Sequence, residues 1–174
     1  MKSSALAIAL IAWCAAAAAA APSRVDRGWM TNNMGGQCQM LRGVWAANPA
    51  NAMLTVTVYS EPLGATKPTG QAQLLLALFV NQRMQNGNVE SFAILESRDA
   101  AAGKYTITPE PKRGISSLLG TDADEALRLF AAERFVRAKM KDGTTIVFSF
   151  PPNGYEIAKP MFDACSKKPL TIGR

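Results

Sequence analysis

Histidine is missing from all 174 residues. Without an imidazole the chain lacks the commonest general base near neutral pH and the commonest nitrogen ligand for a metal ion. Cysteine is scarce, three residues in all, and one of them, Cys14, falls in an apolar N-terminal run. No glycine-rich loop has the spacing that cradles a phosphate. There is no internal repeat, and no second apolar segment is long enough to span a membrane. Ser116-Ser117 stands without the motif that a serine–lysine nucleophile needs, and reads as loop. Glu90, Glu96 and Asp99 have no spacing that would pair their carboxylates, and read as solvated surface. The expectation is a chain with no catalytic residue, no cofactor and no metal.

What is present begins with Met1-Lys2, an apolar run from Ala5 to Trp13, and alanines up to Ala21-Pro22. One positive charge, an apolar middle and small residues at the end predict a secretory signal peptide over residues 1–20. Ala18 and Ala20 place the cut after Ala20, and the alanine run leaves neighbouring cut sites open. Two other readings stand beside this one. A membrane anchor needs roughly 20 apolar residues, and the downstream half here is only weakly apolar alanine. A lipoprotein anchored at Cys14 wants a small residue where Trp13 stands. The expected localisation is periplasmic or secreted. The remaining ~150 residues suit one domain with a core of its own. Net charge is +6 over the whole chain and one less without Lys2. That is mildly basic, and allows anionic surfaces as partners without requiring them.

Loss of the signal leaves two cysteines, Cys38 and Cys165. In an exported chain an isolated pair points to a disulfide. Two free thiols or a metal pair are the alternatives, and two thiolates with no histidine make a poor metal site. A bridge closing most of the mature chain would stabilise it by at most about 4–5 kcal/mol on the chain-entropy estimate.

Residues 21–36 read as a loose segment, broken by Pro22, Asn32, Asn33, Gly35 and Gly36, with Trp29 and Met30 as anchors at the core edge. A single β-rich domain is expected over 37–168, followed by a tail, 169–174. Cys38–Leu41 is a plausible first strand, and Asn48–Asn51 a loop. Met53–Ser60 alternates cleanly, with Leu54, Val56 and Val58 inward. Glu61–Gly70 is a long turn. Gln73–Val80 is almost continuously apolar and predicts a strand buried on both faces, with a helix as the alternative. Gln85–Asn88 is a turn, and Ser91–Glu96 and Lys104–Thr108 are short strands. Residues 109–119 look irregular. Asp122 and Glu125 have capping-box spacing, predicting a helix to about Glu133 with Leu127, Phe130 and Ala131 inward.

The last third is the most legible part. In Arg134–Lys141, Val136, Ala138 and Met140 point one way, and Arg137, Lys139 and Lys141 the other. In Thr144–Phe150, Ile146, Phe148 and Phe150 share a face. A two-residue Asp142-Gly143 loop would set Lys139 and Arg137 beside Ile146 and Phe148. A three-residue loop, Lys141-Asp142-Gly143, pairs Ala138 with Ile146 and Val136 with Phe148, so both apolar sets lie together. This register needs a left-handed residue at its third position, which Gly143 supplies. Pro151-Pro152-Asn153-Gly154 ends the strand. A short helix then begins near Ile157, with Pro160 in its first turn and Met161, Phe162 and Cys165 inward. The architecture expected is α+β: six or seven short, mostly antiparallel strands, one mid-chain helix, a short C-terminal helix and one disulfide.

Two basic features could contact an anionic partner. The first is the row Arg137, Lys139, Lys141 with Arg134 nearby, which could grip lipopolysaccharide phosphates, a peptidoglycan carboxylate or an acidic protein. The same charges would also protect an exposed strand from pairing with other chains. The second is Lys112-Arg113 on the 109–119 loop. Nucleic acid is not expected, because the row lacks interleaved aromatics.

Trp29, the nearby Cys38 and the strand–turn–helix ending at Cys165 resemble the invasion-associated locus B proteins, small exported proteins of alphaproteobacteria. The resemblance covers most of the mature chain in outline. It implies a periplasmic or surface role in host interaction and brings no catalytic residues. The function expected is a non-enzymatic exported binding or accessory domain acting on an envelope component or a protein partner. The alternative is a secreted inhibitor or host-interaction factor working through the 109–119 loop. An envelope hydrolase stands third.

Overall fold

The computed structural model describes residues 28–34, 37–65, 67–110 and 115–167. The signal peptide expected over 1–20, with Cys14, and the tail 169–174 lie outside them. In chain order come strands β1 (Met30–Met34), β2 (Gln37–Trp45), β3 (Ala52–Tyr59), β4 (Gln73–Val80) and β5 (Arg83–Met84). A 3₁₀ turn (Asn86–Asn88) leads to β6 (Val89–Leu95), β7 (Tyr105–Ile107), β8 (Ser116–Leu119) and helix α1 (Thr121–Leu129). Strands β9 (Arg134–Met140) and β10 (Thr145–Phe150) precede helix α2 (Tyr155–Ser166).

Two antiparallel sheets result. The larger runs β1-β2-β3-β4, and the far edge of β4 carries β5 and β8 one after the other. The smaller runs β10-β9-β6-β7. Inward side chains of both sheets join one core with both helices. The alternation that predicts β3 holds: Leu54, Val56 and Val58 are fully buried. Trp29 packs within the core rather than at its edge, 5.4 Å from the Phe130 ring and 5.8 Å from Tyr155. Phe130 in turn meets Phe150 at 5.4 Å.

The β9–β10 hairpin adopts the register in which Ala138 faces Ile146 and Val136 faces Phe148. Gly143 sits at φ +86° with open space around it, as the three-residue loop requires. The disulfide joins Cys38 on β2 to Cys165 on α2, with Cα atoms 5.8 Å apart and 127 residues between them.

Several elements depart from expectation. Ten strands form among the described residues, where six or seven are expected. The additions are β1, β5 and β8. The segment expected to be loose contains β1, an edge strand held by β2 and by Thr31 Oγ1, which donates to the Ala158 carbonyl at 2.7 Å. The stretch expected to be irregular contains β8, paired with the start of β4. Strand β4 is fully buried on one face only; Leu75, Ala77 and Phe79 on the other are half-buried. Strand β9 is not an exposed strand: it lies between β10 and β6.

Both helices start and face differently from the sequence reading. The residue before α1 is Gly120 at φ +58°, and no side chain caps the helix. Asp122 and Asp124 sit inside the first turn, where they favour the positive helix end without forming a capping box. The helix stops at Leu129, and its buried side is Ala123, Ala126 and Leu127, followed by Phe130. Ala131 is exposed. Helix α2 begins at Tyr155, because Gly154 at φ +76° turns the chain tightly against the Trp29 backbone. Pro160 therefore lies inside the helix rather than in its first turn. Starting two residues early also moves the inward stripe to Tyr155, Ala158 and Phe162, and leaves Met161 exposed.

Candidate functional site

The basic row comes together as the alternation predicts, on the outer face of the smaller sheet, but its charges are engaged within the chain. Arg137 donates from Nη2 to the Ala100 carbonyl at 2.5 Å and from Nη1 to that of Ala101 at 3.3 Å. Lys139 pairs with Glu90 at 2.7 Å. Lys141 donates to the Gly87 carbonyl at 2.7 Å. These contacts tie β9 to β6 and to the segments flanking it. Arg134 stands apart from the other three at the start of the strand, where Nη1 donates to the Glu133 carbonyl at 2.8 Å. Its Nε is shielded from solvent and has no hydrogen-bond partner among the described residues. Lys112 and Arg113 lie outside the described residues.

Arg134 lines a cleft of about 560 Å³ together with Lys104, Glu125, Arg128, Ala131 and Ala132. Helix α1 supplies Glu125 and Arg128 one turn apart, so both project to the same side. Arg128 occupies the last turn, where the helix end favours a cation. Its side chain makes no hydrogen bond or ion pair among the described residues. The one carboxylate of the cleft, Glu125, accepts from the Tyr105 hydroxyl at 2.8 Å and lies 3.7 Å from Lys104 Nζ. The Tyr105 bond, then the Lys104 charge, hold the Glu125 carboxyl below its ordinary range. The same bond pushes the Tyr105 phenol up to about 12. Three cations thus face one carboxylate that stays ionised. Among the described residues the cleft sets no nucleophile beside a base, and its surplus charge is positive.

A second cleft, about 360 Å³, lies on the other side of Arg128 and includes Glu61, Asp124, Lys159 and Asp163. Three carboxylates there meet two cations, Lys159 and Arg128. Lys159 bridges Asp163 at 2.6 Å, one helical turn on. Glu61 organises the long turn after β3: it accepts from Thr69 Oγ1 at 2.6 Å, from Thr69 N at 2.7 Å and from Gly70 N at 3.0 Å. Burial raises the Glu61 pKa, and these bonds together outweigh it and bring it below the ordinary value.

The remaining candidates are structural. Ser116 is buried beside Asn86 Nδ2 at 3.4 Å. Asn86 fills the gap between β5 and β8 along the edge of β4. Its Oδ1 accepts from Leu78 N at 2.8 Å and its Nδ2 donates to the Leu76 carbonyl at 2.7 Å, as a paired strand would. Ser117 faces outward on β8. Glu90 is committed to Lys139. Glu96 and Asp99 lie in the exposed bend after β6. Among the described residues no three histidine, cysteine, aspartate or glutamate side chains gather as a metal site would require. No described helix is long and apolar enough to cross a membrane.

Sequence reasoning singled out Arg134 and missed its partners. Lys104, Arg128 and Arg134 are separated by two strands and a helix, β7, β8 and α1, and only the packing of α1 beside the β6–β7 hairpin gathers them. The available signal was the placement of Arg128 five residues before the predicted helix end at Glu133. No family model, curated protein or solved structure matches the chain.

Proposed function

We propose that the protein is a non-enzymatic exported binding domain whose cleft between α1 and the start of β9 takes an anionic group of an envelope component or partner protein. The observation that carries this reading is the set of three cations, Lys104, Arg128 and Arg134, around a single carboxylate. Guanidinium groups suit phosphate and carboxylate because their forked donors match both oxygens. The disulfide supports export, since such bonds persist in oxidising compartments. The resemblance to the invasion-associated locus B proteins points to the same compartment.

The test is calorimetric titration of the mature chain with lipopolysaccharide and with peptidoglycan fragments, at low and at physiological salt. Binding should weaken as salt rises. Replacing Arg128 and Arg134 together by alanine should weaken it by more than about tenfold, the loss expected for two charge-assisted contacts. Glu125→Gln should act in the opposite direction, because it removes the charge that competes with the ligand. Equal affinity in all three proteins, or no binding to either ligand, would remove the cleft from consideration.

A second reading keeps the 109–119 loop as the contact of an inhibitor or host-interaction factor. The bond from Glu110 N to the Ile115 carbonyl, 2.8 Å, favours it, because it ties together the two ends of the segment carrying Lys112 and Arg113. Replacing Lys112 and Arg113 by alanine, which leaves β8 intact, should weaken binding on this reading and leave it unchanged on the first.

A further inference from the structure

Among the described residues, the strands of the larger sheet point no charged side chain outward in the four rows that cross its centre. Register places its outward residues in rows that cross the strands. Trp45, Met53, Phe79 and Met84 form one row across β2, β3, β4 and β5. The next row is small: Gly43, Thr55 and Ala77. A third row holds Met30, Leu41, Thr57 and Leu75. The fourth is amide-rich, with Gln39, Tyr59 and Gln73 at its centre. Not one described outward side chain in these rows is Asp, Glu, Lys or Arg. Several are large and exposed: Met30 by 36% and Met84 by 61%. The small row makes a trough between two ridges. A Cβ added at Gly43 would meet only Thr55 Cγ2 at 3.5 Å and Met53 Sδ at 3.7 Å, both ordinary contact distances.

We propose that this face is where two copies of the chain associate, sheet against sheet about a two-fold axis. Three considerations commit it to a second copy. The first is charge. Each copy carries +6 over its whole length, so most approaches between copies bring like charges together. This face brings none. The second is shape. An axis parallel to the rows, midway between the small row and the Leu41 row, brings all four rows into contact. Each copy's Leu41–Leu75 ridge then lies over the other's Gly43–Thr55–Ala77 trough. Each Met53–Phe79–Met84 ridge lies over the other's Gln39–Gln73 row. The face is therefore self-complementary, as a two-fold interface must be. The third is area. Strands ~4.8 Å apart and rows ~6.8 Å apart give a patch of about 600 Å² per copy. Two such patches total about 1,200 Å², the lower end of stable specific interfaces. The association is thus a reversible one, with the sheets stacked about 10 Å apart.

The same axis sets Thr57 of one copy opposite Thr55 of the other, which provides the test. Sedimentation of the mature chain over a concentration series should show a monomer–dimer equilibrium. Added salt should tighten it, because salt screens the repulsion between two basic chains and the contact itself has no ion pair to lose. Thr55→Glu and Thr57→Lys should each weaken self-association by at least about tenfold, since each buries uncompensated charge. Mixing the two variants should restore a heterodimer through the new Glu–Lys pair. Circular dichroism checks that both variants fold. The Arg128 and Arg134 double variant should dimerise normally, which keeps this result separate from that of the cleft. A wild-type chain that stays monomeric at high concentration would overturn the proposal. So would single variants that self-associate as well as wild type, or a mixture that fails to pair. A monomer that instead binds a neutral glycan or an acyl chain through these residues would assign the face to that ligand.

Discussion

Two polar side chains inside the core show how single residues hold this fold. Arg42 is fully buried, and its Nη1 donates to the carbonyls of Pro151 and of Asn153, the latter at 3.2 Å. It thereby pins the turn after β10 to the larger sheet. Asn86 completes the hydrogen bonding of β4. Its replacement by alanine leaves Leu78 N and the Leu76 carbonyl buried and unpaired, and is expected to cost about 3 kcal/mol in denaturant unfolding. Tyr155 donates to the Leu127 carbonyl at 3.0 Å, and burial, then the Asp163 charge, push its phenol up to about 12 from an ordinary 10.0. The folded chain therefore holds this proton more tightly than the unfolded chain. The stability it contributes is complete below pH 10 and is lost as pH rises from there towards 12. Tyr155→Phe should be somewhat less stable than wild type at neutral pH and should show a shallower alkaline loss in pH-dependent unfolding. Neither buried polar residue was legible as such. Asn86 sits in a stretch whose composition correctly reads as a turn. Arg42 shares the inward phase of Cys38 and Met40, but an arginine is ordinarily read as surface, and phase alone does not identify what it would bond.

Among the elements, legibility followed local periodicity. The β9–β10 register could be argued from sequence because the wrong choice sets charges beside aromatics. Strand β3 could be read because three valine and leucine side chains alternate with polar ones. Strands β1, β5 and β8 could not. The first is Met-Thr-Asn-Asn-Met, without an apolar alternation, and the second is two residues long. Both exist only because a neighbour offers unpaired backbone. The start of α2 was misread for a related reason: Gly154 fixes it through its approach to Trp29, a contact across the whole chain. The long turn after β3 makes a separate prediction. Glu61 binds it as a carboxylate with a lowered pKa, so the turn's order is present above the ordinary value of 4.5 and is lost as pH falls through the lower folded value. Amide exchange at Thr69 and Gly70 should accelerate in acid. Glu61→Gln should already show the faster exchange at neutral pH and should respond little to acid.

At the scale of the molecule, the disulfide and its pairing were legible once export was assumed, because only two cysteines remain outside the leader. The cation-rimmed cleft and the uncharged sheet face were not, since each is assembled from residues far apart in the chain. Cys38→Ser with Cys165→Ser should lower stability by up to about 4 kcal/mol, measured by denaturant unfolding without reductant. Intact mass of the native protein should rise by two hydrogens on reduction. Freely alkylated thiols in unreduced protein would contradict the bond.

That sulfur bridge also closes a covalent ring from Cys38 round to Cys165 that takes in most of the described residues. A machine that draws polypeptide through a narrow pore handles one thread at a time, and on reaching the bridge it would have to admit two abreast. An ATP-driven unfoldase pulling from either end should therefore halt at that knot, releasing the protein for complete degradation only after a reductant opens it. A protease that nicks an exposed loop inside the ring should leave two pieces that travel as one until reduced.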